Sequence, residues 1–286
     1  MNERLILIIG SHGQLGQALC IRFPRARAVD RDELDITNPD ELNSYDWSSV
    51  DIIINAAAYT DVDGAETPEG KVLARKINAA AVGSIAQIAN KHGLLLVHYS
   101  TDYVFDGKEF PHTEDEPLTP LGVYGQSKAE GDKLVDACDK HYLIRTSWVI
   151  GNGKNFVRTM LALAAKDVSP KVVFDQTGRP TFVETLVDAT EHLINTKAPF
   201  GTYNVSNDGP VVSWADLARK VFELGKFSNI KVTDITTVEY NGTKPLIAPR
   251  PPHGEFDLSK ITTTGLKLRN WTDDLAAYIK AEKSAD

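Results

Sequence analysis

The sequence predicts an α/β protein, a doubly wound parallel sheet with a smaller α/β domain at its C-terminal end. Three observations carry this. The runs Arg4–Ile9, Asp51–Ile54 and Leu94–Val97 are apolar almost throughout rather than alternating, as in strands buried on both faces. Segments of helical periodicity separate the strands, with short turns between, which implies parallel pairing through right-handed crossovers. The first strand leads directly into Gly10, Gly13 and Gly16 at the start of a helix, the turn of a Rossmann-type sheet.

The elements follow in order. After Arg4–Ile9, the glycines let the backbone turn tightly and approach a pyrophosphate resting on the helix N-terminus. The spacing is G-x-x-G-x-x-G, and Gln17–Phe23 continues as helix. A short strand, Ala26–Val29, ends at Asp30, twenty residues after Gly10, where an acidic side chain can bind an adenine ribose hydroxyl. Arg31 beside it can instead meet a 2′-phosphate, so Asp30 argues for NAD and Arg31 for NADP. Asp35 and Ile36 fall where a loop can lie along adenine; the other reading of Asp35 is a cap, because Thr37-Asn38-Pro39 looks like a helix start.

Asp51–Ile54 is the third strand, and Ala56, Ala57 and Ala58 at its carboxyl end leave room for a cofactor. Asp61, Asp63 and Glu66 read as solvated loop charges rather than metal ligands. Val72–His92 reads as one long helix carrying Asn78 as an exposed polar residue, and Gly93 ends it. The fourth strand runs from Leu94 into Ser100-Thr101-Asp102. After a proline-bearing loop comes Tyr124-Gly125-Gln126-Ser127-Lys128, on a helix reaching about Asp139. A Tyr and a Lys four apart share a helix face. A nearby ammonium favours the phenolate, so such a Tyr can pass a proton at neutral pH. Thr101 can hydrogen-bond the same substrate oxygen. Tyr142–Thr146 is the fifth strand; Trp148 beyond it is either a core anchor or a platform over a ring ligand.

The second half holds a helix after Asn155-Phe156, a strand Lys171–Phe174, a helix Thr181–Ile194 and a strand Gly201–Val205. The last two are expected to return to the first domain. Ser213 is the expected N-cap of the next helix, with Trp214 in its core stripe. Residues 226–286, including Lys244–His253, read as a lid-like part. Arg250 between prolines can pair with a diphosphate or lie on the surface. Residues 1–150 therefore form a dinucleotide-binding domain with a return segment near 181–206, and residues 151–286 mostly a second domain interleaved with it.

At 286 residues, 42% hydrophobic, the chain can bury a sizeable core. A net charge of −8 without a basic cluster makes nucleic acid a poor partner. No apolar segment approaches the roughly 20 residues of a membrane span, and Leu5–Ile9 is too short for a signal peptide. A cytoplasmic protein is expected. Cys20 and Cys138 read as buried thiols.

With these residues collected, the chain resembles the extended short-chain dehydrogenase/reductase superfamily and, within it, the dTDP-4-dehydrorhamnose reductases. The matching stretches are GSHGQLG (10–16), NAAAYTDVDGAE (55–66), STDYVFDG (100–107), YGQSK (124–128), RTSWV (145–149), NFVRTML (155–161) and DQTGRPT (175–181). The resemblance implies that Thr101, Tyr124 and Lys128 are catalytic. It implies that Gly13, Gln14, Leu15, Asp30, Asp35, Ile36, Ala58, Tyr59, Thr60, Tyr99 and Lys128 meet the cofactor. It puts Thr101, Asp102, Tyr124 and Trp148 near sugar and nicotinamide, and Tyr103, Asn155, Phe156, Gln176 and Arg250 among the substrate-binding positions.

The implied reaction is reduction of a dTDP-4-keto sugar by NADPH or NADH, with both coenzymes used, by a monomer or homodimer. Gly254 and Phe256 depart from the family's serine and leucine. Some members are described with Mg²⁺; no matching carboxylate cluster stands in this sequence, so no metal ligand is assigned and Mg²⁺ use stays open. The rival readings are a nucleotide-sugar epimerase or dehydratase of the same superfamily, and a non-catalytic NADP-binding regulatory subunit.

Overall fold

The structure, a computed structural model, describes residues 5–242 and 246–285. Arg4 of the expected first strand and Lys244 of the expected lid segment lie outside them. Five strands, β1 (Ile6–Ile9), β2 (Arg27–Val29), β3 (Ile52–Asn55), β4 (Leu95–Thr101) and β5 (His141–Thr146), pair in parallel with a sixth, Gly201–Asn204. Their order is sixth strand, β5, β4, β3, β1, β2. The chain therefore reverses direction across the sheet between β1 and β3, the place where open parallel sheets bind ligands.

Side chains alternate faces along each strand, so the sheet feeds two cores. Leu7, Ile9, Ile53, Leu96 and Leu143 pack on one face against Val82, Ile85 and Ala89. Ile8, Ile54, Val97 and Ile144 pack on the other against Leu19, Leu186 and Leu193. Helix α1 (Gln14–Arg22) follows the glycine turn and starts three residues before the expected Gln17, because extended Gly13 already serves as its N-cap. Helix α2 (Pro39–Ser44) starts as expected, its Asn38 side chain accepting from the Asp40 amide. Asp35 takes the turn-capping role: its Oδ1 accepts from the Thr37 amide and hydroxyl.

The long helix expected over 72–92 begins earlier and is interrupted. Helix α3 (Pro68–Arg75) starts at a Thr67 cap, residues 76–81 widen into a π-helical turn, and α4 (Val82–His92) ends at Gly93 with φ 66°. A π-turn inserts one residue per turn and re-aims a side chain, here Asn78. Helix α5 (Val123–Asp136) carries the Tyr–Lys pair. Thr181 and Phe182 are strand rather than helix, paired with Val149–Ile150, and the helix runs from Val183 to Thr196. It packs on the sheet beside the sixth strand.

A third core, with Val157, Met160, Ala218, Val221, Phe222 and Leu275, sits under the smaller part. Ser213 caps the helix Trp214–Leu224 with a full capping box to Asp216. Among the described residues no helix is long and apolar enough to cross a membrane. Cys138 is buried, Cys20 half-buried, and both are free.

Candidate active site

The carboxyl ends of β1, β2 and β3 make a cleft. Gly10, Gly13, Asp30, Arg31, Asp35, Ile36 and Ala56–Ala58 line it, joined by Leu73, Lys76 and Ile77. Gly10 has φ 82°, and a Cβ there would lie 2.6 Å from the Ala57 nitrogen. The bare backbone is what leaves the cleft open between β1 and β3. Gly16 faces inward instead: a Cβ would meet the Gly10 carbonyl oxygen at 2.0 Å, so it seats α1 against the turn. The Asp30 carboxylate accepts from the backbone amides of His12 and Arg31, both at 2.8 Å, and is held at the rim of the turn. This is a cradle for a dinucleotide: a tight glycine turn at a helix N-terminus and a fixed carboxylate one strand away.

Not every position expected at the cofactor reaches this cleft with its side chain. Gln14 instead bridges to the 151–154 loop, accepting from the Gly151 amide and donating to the Lys154 carbonyl. Leu15 packs into the core below the sheet. Tyr99 is buried in the same core with its hydroxyl 2.7 Å from Thr190 Oγ1, so only its backbone faces the site. Tyr59 and Thr60 follow on the β3 loop, half-buried and exposed.

The carboxyl end of β4 is different in kind. Thr101, Asp102, Lys128 and Asp132 are all buried there, and Tyr124 is half-buried. Thr101 Oγ1 donates to Asp102 Oδ1 at 2.9 Å and lies close enough to Tyr124 to favour its phenolate. The Tyr103 ring meets the Tyr124 ring edge-on at 5.5 Å. Lys128 Nζ donates to the Tyr99 carbonyl at 2.6 Å and lies 3.3 Å from His98 Nε2.

Burial lowers Lys128 to about 8, with Asp132 acting against it. Burial lifts Asp102 to about 7, opposed first by the Thr101 hydrogen bond. Tyr124 is raised well above an ordinary phenol by desolvation and then by Asp102. The lysine was expected to lower it, and that expectation is corrected: Lys128 reaches the Tyr99 carbonyl and His98, and desolvation outweighs the other influences on the phenol.

Asn78 is the residue the sequence reading placed wrongly. It is 1% exposed; its Oδ1 accepts from the Tyr59 amide, and its Nδ2 donates to the Tyr59 carbonyl and to Ser127 Oγ. Ser127 in turn donates to the Tyr124 carbonyl. The π-turn thus ties the β3 loop to the turn of α5 that carries Tyr124. A signal existed: Asn78 falls four and seven residues before Val82 and Ile85, on the buried face.

Further out, Trp148 has φ 47° and stacks on Trp214 at 3.6 Å and 14°, with Phe156 against Trp214 at 4.7 Å. Trp214 is thus part of a three-ring stack rather than only core. Asn155 caps the helix Phe156–Ala165 and donates to Gly151 O, Gly153 O and Tyr278 Oη. Gln176 is buried and donates to Thr237 Oγ1. Arg250 Nη2 bonds both oxygens of Asp63 at 2.9 Å, so Asp63 is an ion-pair partner rather than a solvated loop charge. Glu66 likewise accepts from the Val123 amide at the head of α5. Gly254 has a reason to lack a side chain: a Cβ would lie 2.5 Å from Asp102 Oδ2. Among the described residues no three His, Cys, Asp or Glu side chains are grouped to hold a metal ion.

Residues 4–284 match the family described as the RmlD substrate binding domain. Across 98% of both chains, the sequence is 36% identical to the spore coat polysaccharide biosynthesis protein SpsK of Bacillus subtilis. It is 40% identical to a dTDP-4-dehydrorhamnose reductase of Escherichia coli, over 93% of this chain and 94% of that one. A solved dTDP-4-dehydrorhamnose reductase of Bacillus anthracis, in complex with NADP, superposes with a TM-score of 0.88 at 34% identity, covering 98% of this chain and 100% of that one.

Proposed function

Since the chain belongs to the RmlD substrate binding domain family, that of the dTDP-4-dehydrorhamnose reductases, we propose that it reduces the C4 ketone of dTDP-4-dehydro-β-L-rhamnose to dTDP-L-rhamnose. It is an NAD(P)H-dependent oxidoreductase of dTDP-rhamnose biosynthesis. What supports the assignment of roles is that Thr101 at the end of β4 lies against Tyr124, with Lys128 one turn further along the same helix, on the sheet that carries the glycine cradle two strands away at β1. Gly10, Gly13, Asp30 and Ala56–Ala58 hold the dinucleotide, and Asp30 beside Arg31 accommodates both NADH and NADPH. Bound there, the nicotinamide supplies a hydride.

The chain's own residues do the rest. Tyr124 hydrogen-bonds the ketone oxygen, and Thr101, its hydroxyl turned from Asp102 Oδ1 toward the substrate, donates to the same oxygen and orients the sugar. As the carbonyl π pair becomes an oxygen lone pair, Tyr124 passes its hydroxyl proton to that oxygen and recovers one from solvent. A phenol raised by burial stays protonated at neutral pH, as a general acid must. Lys128 steadies the coenzyme ribose and the phenolate that forms. Residues 151–286 form most of the nucleotide-sugar domain, with Trp148 as platform and Tyr103 and Arg250 toward the nucleotide. The protein is proposed as a cytoplasmic monomer or homodimer.

The test is coenzyme oxidation with freshly made dTDP-4-dehydro-L-rhamnose, with dTDP-4-dehydroglucose as control. Oxidation with the rhamno-ketone alone, yielding dTDP-L-rhamnose, is expected. No oxidation with either coenzyme would overturn the reading.

A further inference from the structure

His98 is a wholly buried imidazole one strand position before Tyr99, and the chemistry above does not use it. Its two ring nitrogens have one partner each. Nδ1 lies 3.2 Å from Asn55 Nδ2, and Nε2 lies 3.3 Å from Lys128 Nζ. The Asn55 amide has its orientation fixed on its other side, where Oδ1 accepts from the Ala57 N–H at 3.2 Å. That leaves Nδ2 pointing at the ring as a donor, so His98 Nδ1 must accept. A neutral imidazole that accepts on Nδ1 carries its hydrogen on Nε2. That hydrogen points at Lys128 Nζ, whose firm partner is the Tyr99 carbonyl at 2.6 Å. A neutral amine can accept such a hydrogen; an ammonium has no lone pair with which to do so.

We propose that His98, locked by Asn55 in the tautomer with hydrogen on Nε2, is a positioning residue that sets the charge on Lys128 by offering it a donor instead of an acceptor. This rests on the role given to Lys128 in the reductase reading. The groups around it are Tyr124 and Asp132 on its own helix, His98, Tyr99 and Asp102 on and just beyond β4, and Arg145 on β5, which pairs with Asp132 at 3.0 Å. Asp132 alone among these carboxylates acts directly to keep the lysine charged. Burial and the lysine's own charge both hold the imidazole neutral, so the ring has no cationic form with which to relieve the conflict. The site therefore binds a proton on Lys128 weakly, and activity that needs the ammonium fades on the alkaline side.

Two measurements test this. Nitrogen NMR of the imidazole-labelled protein, with His98 assigned by its loss in His98→Met, should show hydrogen on Nε2 across neutral pH; hydrogen on Nδ1 would overturn the proposal. His98→Met removes the donor while roughly keeping volume, so the alkaline limb of kcat should move up by about one pH unit. A limb that stays in place, with kcat lowered equally at every pH, would mean that His98 only fills space. The pH dependence of NADPH binding is followed in the same proteins. It needs no sugar, so a failure of the reductase reading is seen separately from a failure of this one.

Discussion

The cleft at β1–β3 and the carboxyl end of β4, two halves of the candidate site, are built from opposite materials. On the β1–β3 side the lining is mostly glycine, alanine and aliphatic side chains, and its two carboxylates, Asp30 and Asp35, each accept from backbone amides. At the end of β4, by contrast, ionisable side chains are taken out of water: His98, Asp102, Lys128 and Asp132 are each 3% exposed or less. The first half binds by shape and leaves nothing costly unpaired. The second half holds ionisable groups where burial penalises charge: the carboxyls of Asp102 and Asp132 are pushed up, Lys128 and His98 down. Recognition of a dinucleotide needs only room and amides. Proton transfer to a ketone needs groups whose protonation the fold has already set, and stability is given up to set it.

The largest effect expected on this contrast comes from Tyr124→Phe. It keeps the ring packing on Tyr103 and deletes the proton, so kcat should fall by roughly 10²–10⁴-fold while coenzyme affinity stays close to that of the parent. Steady-state kinetics and an NADPH titration together check this. Near-normal turnover would remove Tyr124 as the acid.

Lys128→Met should lose activity and gain stability, the mark of a site that strains its fold. Burial takes Lys128 from the ordinary 10.5 to about 8. Between those values the unfolded chain holds the proton and the folded chain does not. Stability from this group therefore rises as pH climbs through that window, and its penalty is complete below it. Removing the lysine should flatten that slope and add on the order of 1–3 kcal/mol at neutral pH, read from urea unfolding at several pH values. Asp102 works in the other direction. Lifted to about 7, it binds protons more tightly when folded, so its contribution falls as pH rises from the ordinary carboxylate range to about 7.

Gly16→Ala tests the other half. Its Cβ would press on the Gly10 carbonyl at 2.0 Å, and a backbone oxygen in a tight turn cannot step aside. A loss of about 1–3 kcal/mol in stability is expected, with weaker NADPH binding. Asp30→Ala should be the mildest change, shifting the ratio of kcat/KM for the two coenzymes about tenfold toward NADPH. An unchanged ratio would mean that Asp30 does not meet the ribose.

The same contrast decides what was legible in the sequence. The binding half is written in residue type and spacing: Gly10, Gly13, Asp30, Asp35 and Ala56–Ala58 follow directly from strand ends and small side chains, and all line the cleft. The chemical half is legible only as names. Thr101, Tyr124 and Lys128 could be picked out. The sign of the shift on Tyr124 could not, because desolvation depends on packing from elements distant in the chain. Asn78 sat on the buried face by its spacing to Val82 and Ile85, but a π-turn has no signature of its own, so its bonds to Tyr59 and Ser127 were not legible. Arg250 with Asp63, and Gly254 under Asp102, join positions more than a hundred residues apart, and single-chain patterns carry no trace of such pairs.

The most direct test of the central claim uses NADPH deuterated at the transferring nicotinamide carbon and dTDP-4-dehydro-L-rhamnose, with the label located in the product by NMR. The account predicts deuterium at C4 of dTDP-L-rhamnose and one coenzyme consumed for each sugar formed. Product without label, or coenzyme recovered unchanged, would contradict it and turn the assignment toward enzymes that keep and regenerate their nicotinamide.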